Sequence, residues 1–372
     1  MGDLMRTVPV PRKGPGIARA GAAFVRPMRS FVMGWLACSV LVACHPSVPP
    51  SEPCAPSARD AALGALPARL AALDAGGVLG FAALHVESGK RVAVRGAQRF
   101  PMQSVFKVPV ALALLANVDA GRERLEAEVA VGPADLRSGP SPDPLDPHAG
   151  GTYPVRELLR LMIQVSDNTA TDLLVGRLGG PARVTSHLRA VGLEGIDVSR
   201  TEGELILEAH GVPYAAESAV RSTADRLIAA VPAPARRAAS AAYLADPRDT
   251  ATPDAMVGLL ARLQKGELLS ASSTRTLLDV MTGTKTGAKR LRAGLPEGVV
   301  LAHKTGTSDR FEELRDALGD VGLVVLPDGT HLALAAFVAR STKGDDQAER
   351  AIAEAARAAY EAFAGSGPGP SR

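Results

Sequence analysis

The sequence predicts an α/β fold of two lobes, in which a five-stranded antiparallel sheet is built from both ends of the chain. Two strand patterns, "VLGFAALHVES" and "RVAVRGA", lie near the start of the folded part. Three more, "EGVVLAHKTGTS", "DVGLVVL" and "HLALAAFVAR", lie near its end. The middle, from about Asp119 to Gly287, has mostly helical patterns. We therefore expect helices to flank the sheet, an inserted all-helical lobe, and a cleft between the lobes.

Each element of this fold has its own local signal. Residues 57–75 predict a helix, since leucines recur there at intervals of three and four. A tight turn, "GK", joins the first two strands, and "PDG" at 327–329 joins the last two into a hairpin. A helix begins near Ser104, and "TP" at 252–253 marks the start of another. The segment "DDQAERAIAEAARAAYEAF" predicts a terminal helix.

Composition and charge limit what the chain does. Its 372 residues are 46% apolar, 22% charged and 3% aromatic, so alanine, leucine and valine must build the core. Residues 1–44 carry six basic residues and one acid, which account for the formal charge of +3. The remaining 36 basic and 38 acidic residues give no electrostatic reason to expect nucleic acid as a partner.

The first 56 residues predict export. Residues 1–43 carry basic residues and then the apolar run "FVMGWLACSVLVAC", which is too short to span a bilayer comfortably and predicts a signal peptide. The run ends in "LVAC", which resembles a bacterial lipobox with Cys44 as the lipidated first mature residue; an ordinary secretory signal is the alternative. Residues 44–56 predict a flexible tether. We expect a periplasmic or cell-envelope lipoprotein that meets the membrane through this anchor alone.

Cysteine and histidine usage predicts neither disulfides nor a metal site. No cysteine follows Cys54, so the body folds without disulfides although it is exported. The seven histidines show no spacing typical of metal ligands. We expect no cofactor.

The stretch "FPMQSVFK" places Ser104 and Lys107 three residues apart at the front of an apolar run. On a helix these side chains share a face, and the serine oxygen lies near the positive end of the helix dipole. A lysine held in an apolar wall loses its proton more easily and can serve as a base. Coincidence is the alternative, because Ser-x-x-Lys is a common spacing.

A second motif, Ser166-Asp167-Asn168, interrupts the apolar helical stretch "LMIQVSDNTATDLLV". Serine, aspartate and asparagine are also the residues that favour helix N-caps, so a cap is the structural alternative.

The tripeptide Lys-Thr-Gly occurs twice. The copy at 285–287 lies in a turn-rich segment without a strand pattern, and we interpret it as a loop. Lys304-Thr305-Gly306 ends a predicted strand, where a lysine can hold a substrate carboxylate and the threonine can add a hydrogen bond. Gly306 would let the backbone come close to a ligand.

In this order the three motifs resemble those of class A serine β-lactamases, and the likeness extends over residues 57–365. The resemblance implies a catalytic domain with a sheet lobe at 57–118 and 288–365 and a helical lobe at 119–287. It implies a monomeric hydrolase that opens the β-lactam amide of penicillins and cephalosporins.

The family's hydrolytic glutamate is similar to Glu202 in "SRTEGELILEAHG". Arg200, Glu202 and Leu205 match the family's Arg-x-Glu-x-x-Leu pattern. A surface glutamate is the alternative, since several other glutamates are neighbours.

One departure from the family pattern is Ile206, which stands where an asparagine usually helps to hold the hydrolytic water. Its side chain can neither donate nor accept a hydrogen bond, so Glu208 and His210 are candidates for that task.

The other departure is length. "DPRDTATP" resembles the closure of the family's Ω-loop, so Asp249 would pair with Arg200 and the loop would span about 200–249. Compact Ω-loops are far shorter. The extra chain, 209–243, is either a flap over the cleft or a tolerated surface insertion.

The resemblance also implies a role for each site residue. Ser104 attacks the lactam carbonyl, and Lys107, or Glu202 through a water, takes its proton. Ser166 relays a proton to the leaving nitrogen, and Glu202 activates the water that releases Ser104. Backbone N–H groups of Ser104 and Thr307 stabilise the oxyanion. The substrate-binding set is Asn168, Lys304, Thr305, Gly306, Thr307 and Arg290, with Arg292 as a structural neighbour of the last.

Two rival functions use the same motifs. A D-Ala-D-Ala peptidase or penicillin-binding protein would acylate with little β-lactam turnover and has no need of Glu202. A sensor of β-lactams would bind them without hydrolysis.

Overall fold

The computed structural model describes residues 58–139 and 148–365. Its helices are α1 (Ala58–Ala71), α2 (Lys107–Asp119), α3 (Val155–Gln164), α4 (Asn168–Leu178), α5 (Pro181–Ala190), α6 (Glu202–Ala209), α7 (Arg221–Ala229), α8 (Ala233–Ala245), α9 (Pro253–Gln264), α10 (Ala271–Thr282) and α11 (Asp345–Ala364). Its strands are β1 (Val78–His85), β2 (Arg91–Val94), β3 (Phe100–Pro101), β4 (Glu128–Ala130), β5 (Thr152–Pro154), β6 (Thr250–Ala251), β7 (Leu301–Thr307), β8 (Arg310–Phe311), β9 (Leu314–Val325) and β10 (His331–Ser341).

The predicted sheet from both ends of the chain is confirmed. Its main strands run in the order β2-β1-β10-β9-β7, and every neighbouring pair is antiparallel. Strand β1 pairs with β10 from Val78 opposite Ala339 to His85 opposite Leu332, so the two ends of the body meet at the centre of the sheet. The sequence did not predict β8, which adds two residues beside β9; a strand of that length leaves no alternating pattern.

The sheet separates two apolar layers. Phe81 and Ala83 on β1 face α1 and α11, whereas Ala82 between them faces the larger core on the other side. Alanines on α11 are buried against the sheet, so this long helix can pack closely.

The middle of the chain is mostly helical, as predicted. Helix α2 is apolar on all sides, with residues 107–115 buried, and it packs against α3, α4, α5 and α10. Because α2 is held by helices on several sides, its N-terminal end can keep the nucleophile candidate in one position. The short ladders β3–β6 and β4–β5 were not predicted.

The predicted signal peptide, the tether and Cys44 lie outside the described residues. In the part of the chain that the structure describes, no helix has the length and apolar character needed to cross a membrane.

Candidate active site

The nucleophile candidate lies on a tight turn ahead of helix α2. Ser104 belongs to the 3-10 turn Gln103–Phe106, so the α-helix begins three residues later than the sequence predicted. In a 3-10 turn, side chains three apart lie directly above one another, which keeps Ser104 and Lys107 on one side. Gln103, just before the serine, has a positive φ of 47°.

Lys107 is fully buried at the base of the cleft, with 0% of its surface exposed. Its Nζ donates to the carbonyl of Ser166 at 2.6 Å and to Asn168 Oδ1 at 2.7 Å. The same nitrogen lies 2.8 Å from Glu202 Oε1. A fourth oxygen, Ser166 Oγ, lies at 3.2 Å, so the amine is surrounded by acceptors and its position is fixed.

The Ser166-Asp167-Asn168 motif is both a cap and part of the site. Asp167 is the N-cap of α4 and accepts a hydrogen bond from Ala170 N at 2.6 Å. Ser166 has a positive φ of 64°, which turns its side chain towards the two buried lysines. The capping interpretation therefore holds for the aspartate, and the flanking residues face the cleft.

Asn168 connects the motif with the helical-side rim of the cleft. Its Nδ2 donates to the carbonyl of Ser138 at 2.8 Å while its Oδ1 accepts from Lys107. Both ends of the amide are satisfied, so its orientation is fixed.

Lys304 on β7 is fully buried and completes the cluster from the sheet side. Its Nζ donates to Ser166 Oγ at 2.9 Å and to the carbonyl of Thr305 at 2.7 Å. Burial, followed by the positive charge of Lys107, lowers the pKa of Lys304 well below its usual value. The two amines therefore converge on one serine hydroxyl, Ser166 Oγ.

The first Lys-Thr-Gly copy is a loop, as predicted, but it lies beside the second. Thr286 and Thr305 share a hydrogen bond of 2.6 Å between their hydroxyls. Gly306 is required for packing: a Cβ there would lie 2.3 Å from the carbonyl oxygen of Met102, on the nucleophile turn. Close approach to a ligand was the predicted reason, and the structure supplies a different one.

Arg290 is buried behind the edge of β7. Its Nη1 donates to the carbonyls of Gly306 and Gly319, each at 3.0 Å, and its Nη2 donates to Thr307 Oγ1 at 2.8 Å. The guanidinium thus orients the Thr307 hydroxyl. Arg292 donates instead to main-chain carbonyls away from β7.

Glu202 is the first residue of α6 and is 3% exposed. Its Oε1 accepts from Ser104 Oγ at 3.4 Å and faces Lys107. Thr201 and Glu204 form a capping box at the same helix end. Glu202 is therefore held at the site by its own helix, while the neighbouring Glu204 is used as a cap.

Asp172 on α4 fixes the backbone that carries Glu202, and sequence reasoning missed it. Its two carboxylate oxygens accept from the backbone N–H groups of Glu202 at 2.7 Å and Gly203 at 3.1 Å. Arg137 pairs with the same carboxylate at 2.7 Å. Burial raises the pKa of Asp172 although Arg137 opposes the shift. The sequence did contain one signal for Asp172, since it is an acidic residue four positions after Asn168.

Arg200 and Asp249 lie side by side at the base of the predicted Ω-loop. Arg200 Nε donates to Asp249 Oδ2 at 2.6 Å, and both residues are at least 98% buried. Glu208 also binds Arg200, at 3.0 Å, so its carboxylate is directed away from the cleft. Ile206 and His210 do line the cleft, and His210 contacts the carbonyl of Ile206 at 2.6 Å.

The extended Ω-loop segment is mostly helical, in agreement with the helical patterns predicted between Asp119 and Gly287. It contains α6, a 3-10 turn at Ala216–Ala219, α7 and α8. Leu205 and Tyr243 join the main core, and a separate small apolar cluster consists of Leu207, Val212, Ala219 and Ala224. We refer to residues 209–243 as the insertion.

The insertion is hydrogen-bonded to both rims of the cleft. On the helical side, Ser138 Oγ donates to Asp225 Oδ1 at 2.5 Å. On the sheet side, Ser240 Oγ donates to Asp316 Oδ1 at 2.5 Å. Tyr243 reaches inward and accepts from Gln103 Nε2 at 2.6 Å. The insertion is therefore a wall of the cleft, and of the two predicted alternatives its contacts favour the flap.

The resulting cleft has a volume of about 340 Å³ and is lined by Ser104, Asn168 and Glu202 on one side and by the insertion and the end of β7 on the other. Within residues 58–139 and 148–365, no group of three or more His, Cys, Asp or Glu side chains is arranged to hold a metal ion. The polar side chains gathered at this site include two serine hydroxyls, two amines and a carboxylate.

Comparison with known proteins identifies the family of the chain. A profile of the β-lactamase enzyme family matches residues 66–363. The extended-spectrum β-lactamase PER-1 of Pseudomonas aeruginosa is 30% identical over 71% of this chain and 75% of its own length. The β-lactamase L2 of Stenotrophomonas maltophilia is 32% identical over 76% and 80%.

Solved structures give the same picture. An ancestral class A β-lactamase matches with a TM-score of 0.64 and 36% identity, covering 80% of this chain and 100% of its own. A β-lactamase from Chitinophaga pinensis matches with a TM-score of 0.64 and 30% identity, covering 82% and 99%. The chain therefore belongs to the β-lactamase enzyme family. Within that family it is a class A serine β-lactamase, as the sequence predicted.

Proposed function

We propose that this enzyme hydrolyses the β-lactam amide of penicillins and cephalosporins through an acyl-enzyme on Ser104. The observation that carries the proposal is the contact of one carboxylate with both the nucleophile and the buried amine. Glu202 Oε1 lies 3.4 Å from Ser104 Oγ and 2.8 Å from Lys107 Nζ. A base within hydrogen-bond reach of a serine is the geometry that nucleophilic catalysis needs.

In the acylation step, Ser104 Oγ bonds to the lactam carbonyl carbon and gives up its proton. Glu202, whose Oε1 lies 3.4 Å from Ser104 Oγ, takes this proton directly or through a water. Backbone N–H groups of Ser104 and Thr307 would stabilise the oxyanion. The carbon–nitrogen bond then breaks, and Ser166, held between two amines, passes a proton to the leaving nitrogen. Lys107, which contacts both Ser166 and Glu202, gives a proton to Ser166 and takes the one that Glu202 gained, so Glu202 is a carboxylate again before deacylation.

In the deacylation step, Glu202 takes a proton from a water molecule, and the oxygen of that water bonds to the ester carbonyl carbon. The ester bond to Ser104 breaks, Ser104 Oγ regains a proton, and the ring-opened acid leaves. Glu202, rigidly held at the first turn of α6 by Asp172, is suited to this role. Its presence beside the nucleophile supports a hydrolase over a peptidase or a sensor, since neither of these needs a second base.

The substrate carboxylate would bind at the edge of β7. Lys304 supplies N–H donors there, and a bound carboxylate would favour the charged form of this amine, which burial disfavours. The hydroxyls of Thr305 and Thr307 would supply hydrogen bonds. Arg290 contributes charge and holds the Thr307 hydroxyl in place. Asn168 would contact the acylamino group of the substrate.

A chromogenic cephalosporin tests this function. Wild type, Glu202→Ala and the neighbouring control Glu204→Ala should be compared by turnover and by intact mass. We expect many turnovers for wild type and Glu204→Ala, and a loss of about 10²-fold or more with an adduct trapped on Ser104 for Glu202→Ala. Equal turnover in wild type and Glu202→Ala would remove Glu202 from its role, and a single acylation without turnover in wild type would favour the rivals.

We also propose export to the periplasm or cell envelope, with Cys44 as a lipid anchor. The sequence of residues 1–56 supports this. Membrane fractionation of wild type and Cys44→Ser separates the alternatives, because a simple secretory signal predicts soluble enzyme in both cases. We also predict that the enzyme is a monomer, and light scattering would test this.

A further inference from the structure

A half-buried arginine of the insertion faces the cleft. Arg236, on α8, lines the cavity beside Ile228 and Ser240. Its guanidinium carbon lies 4.9 Å from the centre of the Phe311 ring, at the start of the sheet-side rim. This stacking holds the planar group in place while leaving its N–H donors available at the edges.

Across the part of the chain that the structure describes, no carboxylate lies within 4 Å of the Arg236 guanidinium, and it donates no hydrogen bond. A guanidinium has five N–H donors. Charged side chains that are partly buried usually have partners, so an arginine without acceptors is unusual in this position. The donors of Arg236 are therefore free to meet a ligand.

The acids of the same cavity are, in contrast, already engaged. Asp309 accepts from His210 at 2.9 Å, Asp316 from Ser240 at 2.5 Å, and Asp225 from Ser138 at 2.5 Å. Burial raises the pKa of Asp316, although the charge of Arg236 opposes this shift. The hydrogen bond from His210, with a smaller contribution from Arg236, lowers the pKa of Asp309. Arg236 thus acts on both acids at a distance, while its N–H donors pair with neither of them.

The orientation of a bound β-lactam determines what Arg236 would meet. If the substrate carboxylate lies at Lys304 and Thr305 and the acylamino group at Asn168, the acyl side chain extends towards α8 and β8. We propose that Arg236 is a specificity-determining residue that binds an anionic group, a carboxylate or sulfonate, on the acyl side chain of the substrate. The inference rests on the proposed β-lactamase function.

Two penicillins that differ by one carboxylate provide the test. Carbenicillin is benzylpenicillin with a carboxylate added to the acyl side chain. The kcat/KM ratio of carbenicillin to benzylpenicillin should be measured for wild type, Arg236→Gln, Arg236→Lys and Arg237→Gln. Arg237 is the matched control, because it lies on the same helix but is exposed and paired with Glu312.

We expect Arg236→Gln to lower this ratio about tenfold, mainly through KM, since a charge-assisted hydrogen bond is lost. Arg236→Lys should keep most of the ratio, because the charge remains, and Arg237→Gln should leave it within about twofold. The wild-type ratio should also fall as salt is added.

An unchanged ratio in Arg236→Gln, or an equal fall in Arg237→Gln, would overturn the assignment of Arg236 while benzylpenicillin hydrolysis still supports the proposed function. A fall for both penicillins alike would show a structural role for Arg236 and would also overturn the assignment. Wild type that turns over neither penicillin would overturn the proposed function, and this inference with it.

Discussion

The two sides of the cleft are built in different ways. The catalytic floor, which we define as Ser104 with Lys107, Ser166, Glu202 and Lys304, is anchored in the main core: both lysines are fully buried. The insertion has a small apolar cluster, reaches the main core through Tyr243 alone among the buried apolar side chains of residues 209–243, and is attached to the rims by part-buried hydrogen bonds.

This difference separates two properties of the enzyme. The floor residues are positioned by helices and a strand whose packing involves dozens of core side chains, so their geometry resists single changes elsewhere. The wall is positioned by a few polar pairs, each of modest free energy. Reactivity should therefore be robust, and the choice of substrate should be easily altered.

The largest expected effect is at the joint between the two regions. Asp249→Ala would leave Arg200 buried without its main partner, and we expect a loss of about 3 kcal/mol in the free energy of unfolding. Arg248→Gln, which breaks half-exposed pairs next to it, should cost less than about 1 kcal/mol. Chemical denaturation measures both. Equal losses would mean that burial of the Arg200–Asp249 pair is unimportant.

A smaller effect is expected where the insertion touches the floor. Tyr243 accepts the hydrogen bond of Gln103, whose positive φ sets the position of Ser104. Tyr243→Phe should lower kcat severalfold, leave KM nearly unchanged and reduce stability by about 1 kcal/mol. Tyr214→Phe is the control, since that tyrosine of the insertion is 43% exposed. A change in KM alone would show that Tyr243 acts on substrate binding and does not help to position Ser104.

The smallest effect concerns the sheet-side rim at low pH. The Arg315 side chain, with Arg310, lowers the pKa of Asp345, and Arg315 also binds the carbonyl of Ser308 on the rim. A lowered folded-state pKa means that this stabilisation is present above the ordinary value of about 3.9 and is lost as pH falls through the folded value.

Because Asp345 is 39% exposed, the contribution should stay below about 1 kcal/mol. Unfolding curves of wild type and Asp345→Asn should therefore converge as pH is lowered from 6 towards 3, an interval of about three units around the ordinary pKa. Asp346→Asn, in the same helical turn but paired with exposed Lys289, should change less. A constant difference between wild type and Asp345→Asn across this interval would contradict the assignment.

The sequence was most informative where local pattern and chemistry coincide. Ser104, Lys107 and Lys304 could be selected because a polar group in an apolar run or at a strand end is a local signal. Asp172 and the Gln103–Tyr243 pair were missed, since their contacts join residues 30 and 140 positions apart. The only local signal for Asp172 was its position four residues after Asn168, which does not reveal its partner.

Local physics also explains the errors in the secondary structure. Helix α8, "APARRAASAAYLA", has many alanines, which favour helix, but a weak apolar stripe, so a search for periodicity does not find it. Strand β8 is too short for a pattern. The 3-10 start of α2 depends on docking against β7, which no local propensity describes.

The contact between Gly306 and the carbonyl of Met102 has a consequence for how such an enzyme can change. Main-chain atoms meet there without any intervening side chain. The distance between the nucleophile turn and the edge of the sheet therefore does not depend on which side chains surround this contact. Substitutions throughout the pocket can vary what is accepted while this separation stays constant. A single added methyl group at position 306 would shift it, and every reacting distance would shift with it.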